Sequence, residues 1–135
     1  MRAFASIEAL LALIAASAAF SAIMPMFNQA PLQPVYLFQL SQDFLEISMH
    51  NPETLDRIVE FSRGSESAKT FLEGKYSKLI MQLGDYCMRM EARNRKIEVN
   101  CKGKTKIQTS ASRIVFDNQA NDFFELRVTL GAYSR

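Results

Sequence analysis

The chain has 135 residues, a formal net charge of +2 and two cysteines. This length allows one modest folded domain together with a terminal segment. No tract rich in lysine and arginine stands out, so the overall charge does not indicate nucleic acid as a partner.

A long apolar segment lies at the start of the chain. The 19 residues from Ala9 to Phe27 carry no charge, and as a helix they would span about 28 Å, enough to cross the hydrocarbon core of a bilayer. A plain membrane anchor and a secretory signal cleaved near Ala16-Ser17-Ala18 are two interpretations. Neither explains the acid Glu8 at the head of the segment, and a third interpretation does.

The residues RA-FASIEALLALIAASAAFSAI resemble the start of a type IV prepilin, in particular one with an archaeal class III signal peptide. The pattern is a basic residue, a small residue, the cleavage site, and then an apolar helix with glutamate at its fifth position. Arg2, Ala3, Phe4 and Glu8 supply these positions in order, and Pro25 falls where bacterial pilins often carry a proline. The resemblance covers residues 1 to about 48.

The resemblance implies a division of the chain and a set of partners. Residues 1–3 would be a leader removed by a prepilin peptidase, 4–33 a hydrophobic membrane and filament-core helix, and 34–135 an extracytoplasmic head. The other partners would be copies of the same or related pilins, the pilus assembly platform with its ATPase, and the membrane before assembly. The N-terminus would be cytoplasmic before processing, and the mature subunit would belong to an extracellular filament such as those used in adhesion.

Glu8 has a physical role in such an assembly. A charged side chain within the membrane costs about 3 kcal/mol on insertion scales unless it is paired. Cleavage after Ala3 creates an amine on Phe4, which is one helical turn from Glu8. The same carboxylate can meet the amine of an adjacent subunit, and a buried unpaired charge would penalise a wrong axial offset. We therefore expect Phe4 and Glu8 to set the register between subunits.

Three prolines follow the apolar segment. Each removes a helical hydrogen bond, so Pro25 predicts a kink, and Pro31 with Pro34 predicts a bend or short break near residues 28 to 34. A helix is then expected to resume with one apolar side that packs on the head. The residues of this side are Leu37, Leu40, Phe44, Leu45 and Ile47.

Two further helices are marked by their ends. Asn51 followed by Pro52 predicts a helix start, and Gly64 predicts its end. Ser65 or Ser67 opens the next helix and Gly84 closes it.

The hydrophobic period changes to two after Gly84, which indicates β-strands. Alternation is clear around residues 88–91, 96–99 and 124–130, and less clear from 105 to 116. The sequence therefore predicts an α+β fold, type IV pilin-like, with a long hydrophobic N-terminal helix kinked near Pro25 to Pro34, further helices and an antiparallel meander of three or four strands.

The two cysteines are in conflict with the expected hairpin register. A two-residue turn at Arg93-Asn94 gives favourable pairs on both faces. These pairs are Met88 with Val99, Met90 with Ile97, Arg89 with Glu98, and Glu91 with Lys96. The same register places Cys87 opposite Asn100, so that Cys87 and Cys101 point to opposite faces. A bulge near Cys87, or a departure from the ladder there, would allow the disulfide that an extracytoplasmic location favours, while a reduced buried pair is the alternative.

No catalytic, metal or cofactor site is indicated. His50, the one histidine, lies at a predicted helix end where capping or exposure is expected, and it forms no metal-ligand spacing with the cysteines. We therefore expect a structural filament subunit rather than an enzyme. The alternative is a single-pass anchored extracytoplasmic binding domain, or a pseudopilin of a secretion or DNA-uptake machine that forms no long filament.

Overall fold

The computed structural model describes residues 33–133. Three helices, α1 Gln33–His50, α2 Pro52–Arg63 and α3 Glu66–Leu83, precede four strands, β1 Tyr86–Ala92, β2 Arg95–Val99, β3 Ile107–Asp117 and β4 Asp122–Ala132. The α+β class with a four-stranded antiparallel sheet is confirmed. The predictions on the N-terminal helix, and on Arg2, Ala3, Phe4, Glu8, Pro25 and Pro31, lie outside the described residues.

The helix ends follow the capping chemistry of the sequence. Asn51 Oδ1 accepts a hydrogen bond from the Thr54 amide at 3.0 Å, and Ser65 Oγ accepts one from the Ala68 amide at 3.2 Å. Gly64 ends α2 in the left-handed conformation with φ of +112°, which glycine adopts without steric cost. Pro34 lies in the first turn of α1, where a helix tolerates proline because that turn's N–H groups have no partner within the helix.

The strands do not form the expected meander. Their order is β2-β1-β4-β3, so the chain crosses from one edge of the sheet to the other after β2. Strand β4 takes a central place because five alternating apolar residues, Phe124, Leu126, Val128, Leu130 and Ala132, are all buried. Strand β3 buries fewer large apolar side chains and lies at the edge. Burial of apolar area therefore decides the strand order.

The three helices cover one face of the sheet, which we call the inner face. The buried side of α1 follows a helical stripe that includes Leu37, Phe44 and Leu45, as expected. Ile47 was expected on this side but is 55% exposed. The next residue, Ser48, is buried instead of Ile47. Burial of the Ser48 hydroxyl is possible because it lies 2.5 Å from the Tyr76 hydroxyl and donates to the Phe44 carbonyl at 2.6 Å.

A buried carboxylate joins the end of α2 to the turn between β3 and β4. The Asp117 side chain is fully buried, and Arg63 donates to it from both Nε, at 2.7 Å, and Nη2. The amides of Gln119 and Ala120 donate to the same carboxylate at 3.0 and 3.1 Å. The guanidinium of Arg63, together with these amides, holds the pKa of Asp117 well below its usual range.

Candidate functional site

The first turns of α1 expose apolar side chains on the side that faces away from the core. Val35, Tyr36 and Phe38 are 63%, 52% and 47% exposed, and we call these three residues the α1 apolar patch. In sequence the patch follows directly on the predicted filament-core helix, residues 4–33. Contiguous apolar side chains that remain in water are typical of surfaces that contact another chain or a membrane.

The later part of the exposed side of α1 is polar. Glu46 Oε1 accepts a hydrogen bond from Arg113 on β3 at 3.1 Å, which joins α1 to the edge of the sheet. His50 is exposed, and its Nδ1 lies 2.9 Å from the Glu46 carbonyl oxygen. The expectation that His50 is an exposed or capping residue at the helix end is confirmed.

Cys87 and Cys101 form a disulfide with their Cα atoms 4.5 Å apart, as predicted. The predicted hairpin register is also present, and its last pair is Met88 with Val99. The two are compatible because the chain leaves the ladder at Asn100, which has a φ of +55°. Cys87 itself stays in β1 and pairs with Gly131 of β4. The departure therefore occurs on the β2 side of the hairpin and not at Cys87.

The residues that follow β2, 100–106, form what we call the disulfide loop, and hydrogen bonds hold both of its ends. The Tyr133 hydroxyl donates to the Asn100 carbonyl at 2.7 Å and accepts from the Lys102 amide at 2.6 Å. Asn100 Nδ2 donates to the Tyr86 carbonyl at 2.9 Å. The Lys106 amide donates to the Ala132 carbonyl at 2.9 Å.

Thr105 of the disulfide loop lies directly on Gly131 of β4. A Cβ atom at position 131 would come within 2.5 Å of Thr105 Cγ2 and 2.8 Å of its Oγ1. Any side chain at position 131 would therefore push the disulfide loop away from the sheet. The sequence shows a glycine at position 131, but no pattern in it indicated which segment of the chain would pack on this glycine.

The face of the sheet opposite the helices, which we call the outer face, carries paired charges. Arg89 Nε donates to Glu98 Oε1 at 2.8 Å, and Arg89 together with Lys96 lowers the pKa of Glu98. Ser112 and then Arg127 lower the pKa of Glu125 in the same way. These contacts, some between strands and some within one strand, are exposed, and each contributes little to stability.

An apolar cluster interrupts this polar face near the β3–β4 turn. Ile114, Phe116 and Phe123 are exposed there, and the rings of Phe116 and Phe123 are 4.7 Å apart between centroids. Phe116 and Phe123 are direct partners across the two strands. The pair therefore shields part of its own apolar area at the end of the sheet.

Comparison of the chain with protein-family models, with curated proteins and with solved structures found no match. Between residues 33 and 133 no helix combines the length and apolarity needed to cross a membrane. The same residues contain no group of three or more histidine, cysteine, aspartate or glutamate side chains placed to hold a metal ion.

Proposed function

We propose that this protein is a structural subunit of a type IV pilus-like surface filament. A prepilin peptidase would cleave it after Ala3, and the mature chain would assemble through its N-terminal helix. The observation that carries the proposal is the motif Arg2-Ala3-Phe4 with Glu8 at the fifth position after the cut, ahead of 19 uncharged residues.

The α1 apolar patch supports this proposal. Val35, Tyr36 and Phe38 continue the apolar character of residues 4–33 into the helix that packs on the head. A monomer in water would leave these side chains solvated. Neighbouring subunits in a filament would cover them and so bury additional apolar area.

Glu8 supplies the register in this mechanism. The free amine of Phe4 and the carboxylate of Glu8 attract each other across the interface between neighbouring first helices. A subunit at another axial offset would bury at least one of these charges unpaired, which costs several kcal/mol. The many alanines of the first helix allow the helices to approach closely.

The test compares Glu8→Ala with Asp56→Ala in cells that encode the protein. Asp56 is an exposed acid on α2, so its removal makes the same change in charge outside the first helix. We expect the membrane fraction to contain Glu8→Ala at normal levels, because removal of a charge favours insertion. Filaments sheared from the cell surface should lack Glu8→Ala but contain Asp56→Ala.

The same preparations test the processing step. N-terminal mass analysis of wild-type filaments should give a chain that begins at Phe4. A chain cut after Ala18 or Ala22 would contradict the proposal, and so would normal filaments from Glu8→Ala. A mature chain that begins at Phe4 but never enters filaments would favour the alternative, an anchored binding domain or pseudopilin.

A further inference from the structure

A groove of about 420 Å³ lies on the outer face of the sheet beside the disulfide loop. Strands β1, β3 and β4 and the disulfide loop line it together. Its volume is within the range of about 300–1,000 Å³ that is typical of small-ligand sites. The lining residues are Cys87, Arg89, Cys101, Gly103, Lys104, Thr105, Lys106, Gln108, Thr129 and Gly131.

The charges that line this groove are all positive. They come from Arg89, Lys104 and Lys106, and no aspartate or glutamate lines the groove. Arg89 is paired with Glu98, and the neighbouring Lys102 lies 3.8 Å from Asp85. Within residues 33–133, Lys104 and Lys106 form no ion pair. Two ammonium groups therefore border the groove without a compensating acid, and we call it the lysine groove.

A second groove at the opposite end of the outer face shows that the lack of acid partners is specific to the lysine groove. That groove has a volume of about 350 Å³ and is lined by Glu91 and Glu125 among its residues. Each of its four basic side chains is in an ion pair with an acid at 3.0 to 3.5 Å. These four are Arg93, Arg95, Lys96 and Arg127. Its positive charges are therefore compensated within the protein, unlike those of the lysine groove.

The backbone around the lysine groove is held before any ligand arrives. The disulfide fixes Cys101, and the Tyr133 hydroxyl forms hydrogen bonds with both Asn100 and Lys102. The Lys106 amide donates a hydrogen bond to the Ala132 carbonyl of β4. A ligand would therefore order only the exposed side chains and not the loop. Binding to a preformed surface of this kind loses less conformational entropy.

The neutral groups of the groove indicate the class of anion. Thr105, Thr129 and Gln108 present hydroxyl and amide groups, which suit the hydroxyls of sugars. No aromatic ring lines the groove, so the bases of a single-stranded nucleic acid would have no stacking surface there. We propose that the lysine groove binds the carboxylate or sulfate groups of an acidic polysaccharide.

The test measures binding of a polyuronate to the full chain in non-ionic detergent. The variant Lys104→Gln/Lys106→Gln removes the two unpaired charges. The control Lys69→Gln/Lys78→Gln removes two lysine charges on α3, which packs against the opposite face of the sheet. Contacts of an exposed ammonium with an anion each change affinity a few-fold. We expect about a tenfold weaker affinity in the groove variant and less than a twofold change in the control.

The charge itself is tested by Lys104→Arg/Lys106→Arg, which should retain binding within about threefold because both cations remain. Wild-type affinity should fall as salt is raised, and less steeply in the groove variant. Equal binding by the groove variant and the control would overturn the proposal. So would equal binding to neutral dextran, tighter binding to duplex DNA than to polyuronate at equal charge concentration, or no binding by the wild type.

Discussion

Removal of the Cys87–Cys101 disulfide should lower the free energy of unfolding by about 3 kcal/mol. The two cysteines are 14 positions apart in sequence, and a cross-linked loop of about 15 residues removes about 3 kcal/mol of conformational entropy from the unfolded chain. For a domain of about 100 residues, each 1 kcal/mol changes the melting temperature by about 4–8 °C. The expected decrease is therefore about 12–24 °C.

The structure also predicts where the native state loosens. The hairpin register from Met88–Val99 to the turn does not depend on the bridge, because cross-strand pairs hold it. Apart from the bridge, the start of the disulfide loop is held chiefly by the hydrogen bonds of Asn100 and Lys102 with Tyr133. Hydrogen exchange should therefore accelerate at the Lys102 amide, while the amides of β1 and β2 remain protected.

The assay is thermal denaturation of the full chain in mild detergent, followed by far-ultraviolet circular dichroism. Wild-type protein with and without a reductant is compared with Cys87→Ala/Cys101→Ala. The variant should melt at the temperature of the reduced wild type, and the reductant should not change its melting temperature. A change below about 3 °C would refute the reasoning, since the loop-entropy term would then be nearly absent. Free thiols in protein taken from the cell surface would refute the bridge itself.

Three other perturbations test the packing and the assembly surface. Asp117→Asn should lower the melting temperature at neutral pH. Because the folded-state pKa of Asp117 is depressed, its stabilisation is complete above pH about 4 and is lost on acidification, so the wild-type advantage should shrink below pH 4. Tyr76→Phe should cost about 1 kcal/mol, because the hydrogen bond between Tyr76 and Ser48 is lost. Burial raises the pKa of Tyr76 to about 12, so the wild type should lose stability above pH 10, and the variant should lose less. An unchanged denaturation curve would contradict this. Phe38→Ser should reduce the yield of sheared filaments several-fold, whereas Phe123→Ser should not, although Phe123 on the sheet is the more exposed of the two, at 65% against 47%. Equal losses would argue against the α1 apolar patch.

Local chemistry along the chain was sufficient for the helix ends and the first hairpin. An Asn51 or Ser65 cap depends on an amide three residues away, and the β1–β2 register depends on pairs joined by a two-residue turn. Such contacts involve residues close in sequence, so their geometry follows from a few dihedral angles. The disulfide was predicted from the two cysteines and from the extracytoplasmic location that the prepilin resemblance implies. The conflict with the register correctly indicated that the chain must depart from the ladder.

Only the tertiary structure decided the features that join distant segments. The position of β4 in the centre of the sheet, the exposure of Ile47 and the burial of Asp117 under Arg63 each depend on which apolar surfaces are covered. The lysine groove is of the same kind. The sequence placed Lys106 in the weakly alternating strand from 105 to 116, and only the fold brings Lys104 and Lys106 to one groove beside Gly131, where neither has an acid partner within residues 33–133. The burial of a side chain and the pairing of its charge depend on contacts with residues from the whole chain. The sequence of one helix or one hairpin does not contain those distant residues, so it cannot predict these contacts.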